Sequence, residues 1–551
     1  MIGVAVQSAE RDAVAEFFEL FKTPWEFYRN DGQYDVLICM QDQLPDLLPA
    51  LVLLFGSRAT AFDSQKQIPV RTRRGQVMIE DDGKQLPIYG EAVTFPTSRY
   101  QGLTDVATHE SVAFSSESGG STILRIGYDL FHEVRHLLTT GQPAAHSESA
   151  TLERHIGLLR KLILKAGLPL VEIPPVTDRH PFMVCLTHDI DHPVLRNHWA
   201  DHTMFGFLYR ATLGTLLNVC RGRKSTGDLV MNWTAALKLP LVYLGMAKDA
   251  WGDFDRYLEL EAGLGATYFV IPKGDDAGQP LHGHNAARRA ARYEIEDVEP
   301  QLKKIISSGA EVGLHGIDAW ADGSKATAER KRVAEMPGAA ASGVRMHWLF
   351  FDEKSAAVLD QAGFDYDSTV GYGETVGFRA GTTQAFKPLT VENLLELPLH
   401  IMDTALFYPR YLNLSESEAE KKVEKLINET TEAGGALTIN WHDRSIAPER
   451  LWEDFYLKLL ARLKRRGAWF PTATQAVAWF RKRRSATVEA VSVDGGALRI
   501  KASVPPDSTL PGVRVRVYKP IARSTTASAR PTAPDFIDLT LRDKVEVELK
   551  L

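Results

Sequence analysis

Phe182-Met183-Val184-Cys185-Leu186-Thr187-His188-Asp189-Ile190-Asp191-His192-Pro193 is the stretch that decides the fold. Five of its first six residues are apolar. That is too continuous for a half-buried strand and suits a parallel strand covered on both faces. The run then stops at a cluster of histidine and aspartate. Side chains alternate along a strand, so Asp189 and Asp191 point the same way. Two carboxylates crowded at a strand end are costly unless a metal or a proton is shared between them. The C-terminal ends of parallel strands are also where barrel active sites sit.

Working outward, strands and helices alternate from 181 to 484. Strands are expected at 182–187, 267–271, 311–314, 343–347, 364–367, 395–399, 436–441 and 468–470. Helical patterns lie between most of them, for example Val298 to Ser308, Glu416 to Thr431 and Pro448 to Arg465. The alternation predicts a parallel sheet, and its length suits a (β/α) barrel. Roughly 75 residues separate the first two strands, far more than a barrel connection needs. The segment from about 193 to 255 therefore reads as a helical insertion. Phe205, Phe207, Leu208, Tyr209, Leu213, Leu216, Leu217 and Val219 give it an apolar surface, with Arg210, Arg221, Arg223 and Lys224 beside it. Such a face suits a lid or an anionic membrane surface as well as packing on the barrel.

Residues 1–178 read as an N-terminal α/β domain, with a helix at Ala13 to Phe21, a strand at Tyr34 to Cys39, and helices at Tyr128 to Thr139 and Ala150 to Ala166. The paired prolines in Glu172-Ile173-Pro174-Pro175-Val176-Thr177-Asp178 read as a linker. Short strands at Val488 to Val491, Ala497 to Val504, Gly512 to Val517 and Val545 to Leu551 suggest a small C-terminal β-sandwich over 486–551.

The chain has 551 residues, 44% of them hydrophobic and 24% charged, which is ordinary for a globular protein of several domains. A net charge of -6 gives no reason to expect nucleic-acid binding. Cys39, Cys185 and Cys220 are too few and too scattered for a disulfide framework. The start, Met1-Ile2-Gly3-Val4-Ala5-Val6, lacks the basic and long apolar regions of a signal peptide. Arg210 and Lys238 interrupt the longest apolar stretches, so no transmembrane span is expected. A cytoplasmic protein is the expectation, with peripheral contact at the inner membrane face open to the insertion.

Four strand ends carry polar clusters. They are Asp189 with Asp191; Glu311-Val312-Gly313-Leu314-His315-Gly316-Ile317-Asp318; Gly343-Val344-Arg345-Met346-His347-Trp348; and Leu437-Thr438-Ile439-Asn440-Trp441-His442-Asp443. In a barrel all four meet at one mouth. A histidine, two aspartates and an open position suit a zinc-like hydrolytic site, and a second histidine can serve as general acid. Taken singly, each residue has a structural explanation: Asp318 as a helix cap, Arg345 as a salt-bridge partner. Four clusters in corresponding positions favour a shared site.

These motifs resemble the NodB-type polysaccharide deacetylases, carbohydrate esterase family 4. Thr187-His188-Asp189-Ile190-Asp191 resembles the first motif, and Gly265 to Ile271 the second strand. His315-Gly316 resembles the start of the metal-histidine motif. Arg345 and His442 resemble the arginine of the third motif and the histidine of the last. The resemblance covers about 181–483. It implies a distorted (β/α) barrel and metal-dependent removal of N-acetyl groups from an amino sugar, in a polysaccharide or its lipid-linked precursor. It further implies Asp189 as base, Asp191 and His315 as ligands of a divalent metal (zinc first), His442 as acid and Arg345 as the residue fixing Asp189. Ile190 separates the two aspartates, as in relatives with Asp-x-Asp. Ala319 stands where the second metal histidine belongs, which leaves Asp318 as the nearest third ligand and His347 and His192 in reserve. The 127–139 region is similar to segments preceding such barrels in bacterial surface-polysaccharide gene products.

Two other readings compete. His132-Glu133-Val134-Arg135-His136 matches His-Glu-x-x-His, which on a helix makes a zinc peptidase, with His146, Glu153 and His155 available to complete it. Alternatively, the missing histidine marks a degenerate barrel that binds a glycan or organises an assembly.

Overall fold

In the computed structural model the decisive run forms β1, Met183–Ile190, buried along its whole length. Coordinates describe the chain except residues 101, 223, 282–288, 495–496, 522–534 and 551; for 489–494 only the backbone is described. Arg223 of the insertion and Leu551 of the last strand therefore lie outside the described residues.

β1 sits within an eight-stranded parallel sheet. Its other strands are β2 Ala266–Val270, β3 Glu311–Gly316, β4 Gly343–Met346, β5 Tyr366–Asp367, β6 Leu395–Glu396, β7 Ile401–Met402 and β8 Ala436–Asn440. The order is β6-β5-β4-β3-β2-β1-β8-β7. The two edge strands belong to one extended segment. Leu397 N–H donates to Asp367 C=O on one side, and His400 N–H donates to Thr438 C=O on the other. A single stretch of chain thus links the two edges. The strand expected at 468–470 contributes only a one-residue bridge, Trp469 to Met183. Pro471 ends it, since proline cannot donate to a ladder. The sequence pattern does not show β7, because a strand of two residues carries no periodicity.

The helices follow their local signals. Ser415 and Glu418 form a capping box before helix Glu416–Ala433, and Gly434 ends it at φ 82°. The insertion is helical, with helices His202–Tyr209, Thr215–Cys220 and Thr226–Tyr243 and a π-helical turn at Arg210–Gly214. Its inner face packs Leu195, Met204, Phe207, Ala211, Leu239 and Trp251 against Ala447. Its outer face leaves large apolar side chains in water, with Leu237 80% and Leu244 71% exposed. No helix among the described residues is long and apolar enough to cross a membrane.

The chain divides into two compact units. One comprises His180–Arg379 and Thr390–Ala478; the other comprises Met1–Arg179, Ala380–Leu389 and Trp479–Leu551. The second contains a mostly parallel six-stranded sheet and helices Arg11–Phe21, Leu130–Thr139 and Thr151–Lys165. Its C-terminal strands form two three-stranded sheets, and one of these recruits Leu170–Glu172 beside Val513–Tyr518. The stretch expected as a linker is therefore buried. Ile173 N–H donates to Lys22 C=O, and Ile173 C=O accepts from Arg483. The prolines there keep an extended chain in place, with no ladder donors to leave unpaired.

Candidate metal centre and catalytic residues

The polar clusters at four strand ends converge on two levels. Asp189 and Asp191 project from one face of β1, two residues apart. Arg345 and His347 repeat that spacing at the end of β4. His315 of β3 is in register with Arg345, and Asn440 of β8 with Thr187.

On the outer level, Asp191 Oδ1 lies 3.2 Å from both His315 Nε2 and His347 Nδ1, and these nitrogens are 3.0 Å apart. Ligand atoms about 2.0 Å from a tetrahedral ion sit about 3.3 Å from one another, so the triangle has the size such an ion needs. Asp191 Oδ1 is buried and has no hydrogen-bond partner. His315 Nδ1 faces the Arg345 carbonyl at 2.9 Å, which places its proton there and leaves Nε2 with a free lone pair. Two imidazoles and a carboxylate are a donor set for zinc or a similar transition metal. The residues present fit a divalent metal.

On the inner level, Arg345 Nη1 donates to Asp189 Oδ1 at 3.1 Å, and Asn440 Nδ2 donates to Oδ2 at 2.7 Å. Arg345 is itself fixed by Thr187, by the Ser368 carbonyl and by the Phe269 ring, 4.7 Å from its guanidinium. Asp189 Oδ2 stands 3.9 Å from His315 Nε2.

His442 completes the mouth. Its Nδ1 is 2.6 Å from Asp403 Oδ1, its backbone N–H donates to Asp403 Oδ2, and its Nε2 is 3.8 Å from Asp191 Oδ2. The Tyr257 hydroxyl donates to the His442 carbonyl at 2.6 Å. Burial pulls the His442 pKa down, but the charge and hydrogen bond of Asp403, with Asp191 and Asp189 adding, outweigh it and push it up to about 9. Burial raises Asp191, but His347, His315 and His442 outweigh it and hold its carboxyl well below the usual carboxylate range.

The structure brings Asp189, Asp191, His315, Arg345 and His442 together, but not Asp318. That carboxylate is paired with Lys325 and accepts the Gln279 N–H at 2.7 Å. Asp191, His315 and His347 form the one group of side chains among the described residues that could hold a metal ion, and Asp318 is not part of it. His192 turns to His198, 3.2 Å away, and Asp443 accepts the His192 N–H. Asp403 is the carboxylate that acts most strongly on His442. Sequence signals point to the reserve ligand His347 and to Asp403, which the strand pattern leaves out. Arg345-x-His347 repeats the spacing of Asp189-x-Asp191. Asp403 ends the apolar run Leu397-Pro398-Leu399-His400-Ile401-Met402 as Asp189 ends its own.

The His-Glu-x-x-His segment does form a helix, Leu130–Thr139, capped by Asp129. Its glutamate is held by the backbone. Glu133 is buried, and its oxygens accept the N–H groups of Tyr89 and Gly90, both at 2.7 Å. His136 stacks on Tyr89, His155 Nδ1 faces the Tyr128 hydroxyl, and Glu153 is taken up by Thr382 and Thr383. Among the described residues these side chains form no group that could hold a metal ion, so the structure does not support the peptidase reading.

No protein-family model and no curated protein matches the chain. Solved structures do. A protein assigned as a polysaccharide deacetylase from Mycobacterium smegmatis is 17% identical, with a TM-score of 0.34 over 56% of this chain and 95% of its own. The PuuE allantoinase is 13% identical, with a TM-score of 0.34 over 56% and 92%. One assigned as a polysaccharide deacetylase from Pseudomonas aeruginosa PAO1 is 14% identical, with a TM-score of 0.33 over 55% and 94%. Structural neighbours thus include polysaccharide deacetylases.

Proposed function

We propose that this chain is a metal-dependent hydrolase that removes N-acetyl groups from an amino sugar, in a polysaccharide or its lipid-linked precursor. The observation that carries the proposal is the Asp191–His315–His347 triangle with Asp189 and His442 beside it. The histidine missing at 319 favours a degenerate barrel; His347, directly after β4, supplies that nitrogen instead.

A divalent cation held by Asp191, His315 and His347, zinc first, supplies Lewis acidity for attack of water on the acyl carbon. Asp189 takes a proton from that water. Arg345 and Asn440 fix its two oxygens, so it meets the water in one orientation. His442 gives a proton from Nε2 to the departing nitrogen, which is needed because an amide anion is a very poor leaving group. Asp403 on Nδ1 sets the direction of that ring. The exposed apolar face of the insertion supports peripheral contact with a membrane, which pelleting of the chain with phosphatidylglycerol vesicles at low salt tests; no pelleting removes it.

Acetate release from N-acetylated amino sugars, with and without chelator, tests the reaction. Activity is expected to vanish with chelator and return with zinc. Asp189→Asn is expected to keep the metal and lose activity roughly 10²- to 10⁴-fold. Metal loss in that variant would exchange the roles of the two aspartates.

A further inference from the structure

The loop that carries His442 continues into a group of arginines that the hydrolytic site does not use. Arg450 is only 3% exposed, and its Nε and Nη1 have no hydrogen-bond partner. Its guanidinium lies over the Tyr408 and Trp452 rings, 5.2 and 4.8 Å from their centroids. Arg444, two residues after His442, lies over the Trp251 ring at 5.1 Å. Arg210 comes from the π-helical turn of the insertion, and its buried Nε is also without a partner. Such turns recur at functional sites.

All three guanidiniums act on one phenol. Arg450 foremost, with Arg444 and Arg210, holds Tyr408 down at about 8 although burial pushes the other way. Against them stands Glu449, whose Oε1 is 3.8 Å from Arg210 Nη2 and accepts the Trp251 indole N–H. Asp403 is engaged by His442 and Ser445, and Asp443 by the His192 N–H. Asp443 and Asp191 also act on Arg444, yet the buried Nε and Nη1 of Arg450 and the buried Nε of Arg210 keep no acceptor. Donors buried without acceptors are costly, so such a site calls for an anion. Guanidinium forks match phosphate oxygens in charge and geometry.

We propose that Arg210, Arg444 and Arg450 bind a phosphate group carried by the substrate, so that the acylated amino sugar processed here is a glycosyl phosphate or diphosphate rather than a neutral glycan. This rests on the hydrolase reading for what lies at the triad, but the anion site itself does not depend on turnover.

The test uses the metal-loaded full chain carrying Asp189→Asn, so that ligands bind without reacting. Calorimetric titration compares N-acetylhexosamine 1-phosphate with the neutral methyl glycoside. The phosphate is expected to bind at least tenfold more tightly. That preference is expected to disappear with Arg450→Gln and with Arg444→Gln, with metal content and circular dichroism unchanged. Arg444 is partly exposed, so its variant stands even if Arg450→Gln fails to fold. Equal binding of the two ligands, or a preference that survives both substitutions, overturns the proposal, as does an equally strong preference for a hexuronate. A nucleoside-diphosphate N-acetylhexosamine and a short-prenyl diphosphate N-acetylhexosamine distinguish a soluble from a lipid-linked source; tighter binding of either supports the site and assigns it. A phosphate preference in this variant, with no acetate release from any of these ligands by the unsubstituted metal-loaded chain, would retain the anion site and discard the hydrolase.

Discussion

Two places in this molecule gather histidines and carboxylates, and they differ in how. On helix Leu130–Thr139 the residues have metal-ligand spacing in sequence, yet Glu133 is tied to backbone N–H groups and His136 lies against Tyr89. At the ends of β1, β3 and β4 three residues far apart in sequence bring their ligand atoms within 3.2 Å of one another. Helical spacing puts two side chains on one face, but it does not decide what covers that face. Parallel strands in register must deliver their C-terminal residues to a common edge.

The largest expected effect follows from that contrast. Asp191→Ala, His315→Ala and His347→Ala should each lose stoichiometric metal, read by elemental analysis, with at least about 10²-fold loss of activity. His136→Ala and Asp318→Ala should keep it. Metal retained by His347→Ala but lost from His136→Ala would reverse the comparison.

A smaller effect is expected at Asp403. Its charge raises His442, so Asp403→Asn should lower the pKa of that imidazole. A general acid works only while protonated, so the alkaline limb of kcat/KM should move to lower pH, with metal content retained. An unmoved limb would mean that His442 is not the acid.

The smallest effect is at Glu133. Burial raises its pKa to about 7, against the hydrogen bonds from Tyr89 and Gly90. The neutral form is the one favoured by folding. That contribution is complete below the ordinary value near 4.5 and is lost as pH rises through about 7. Glu133→Gln imitates the neutral form, so its melting temperature should gain on the unsubstituted chain between pH 4.5 and 8. A gap moving the other way would show that the carboxylate is the favoured form, as a ligand or base would require.

The apolar run at 182–187 and its polar ending placed β1 and the site level, because an unbroken hydrophobic strand can only be stable between two covered faces. The same logic made Asp189, Asp191, His315, Arg345 and His442 legible as strand ends. Short strands were harder. β7 has two residues, and no periodicity can be read from two, so the sequence does not mark Asp403 as a strand end. Asn440 was in view but looked like part of its strand; only the register of β8 with β1 shows its amide reaching Asp189.

The sequence by itself thus determined which residue types stop at strand ends and that the chain alternates strand and helix, since burial and backbone pairing write both into local pattern. Only the tertiary structure decided that His347 rather than Asp318 joins the triad, that Asp403 reaches His442, and that the His-Glu-x-x-His residues bring no group of ligand atoms together. Each of those choices depends on which distant residue arrives within about 3 Å, and that distance is set by sheet register and loop course, not by spacing along the chain.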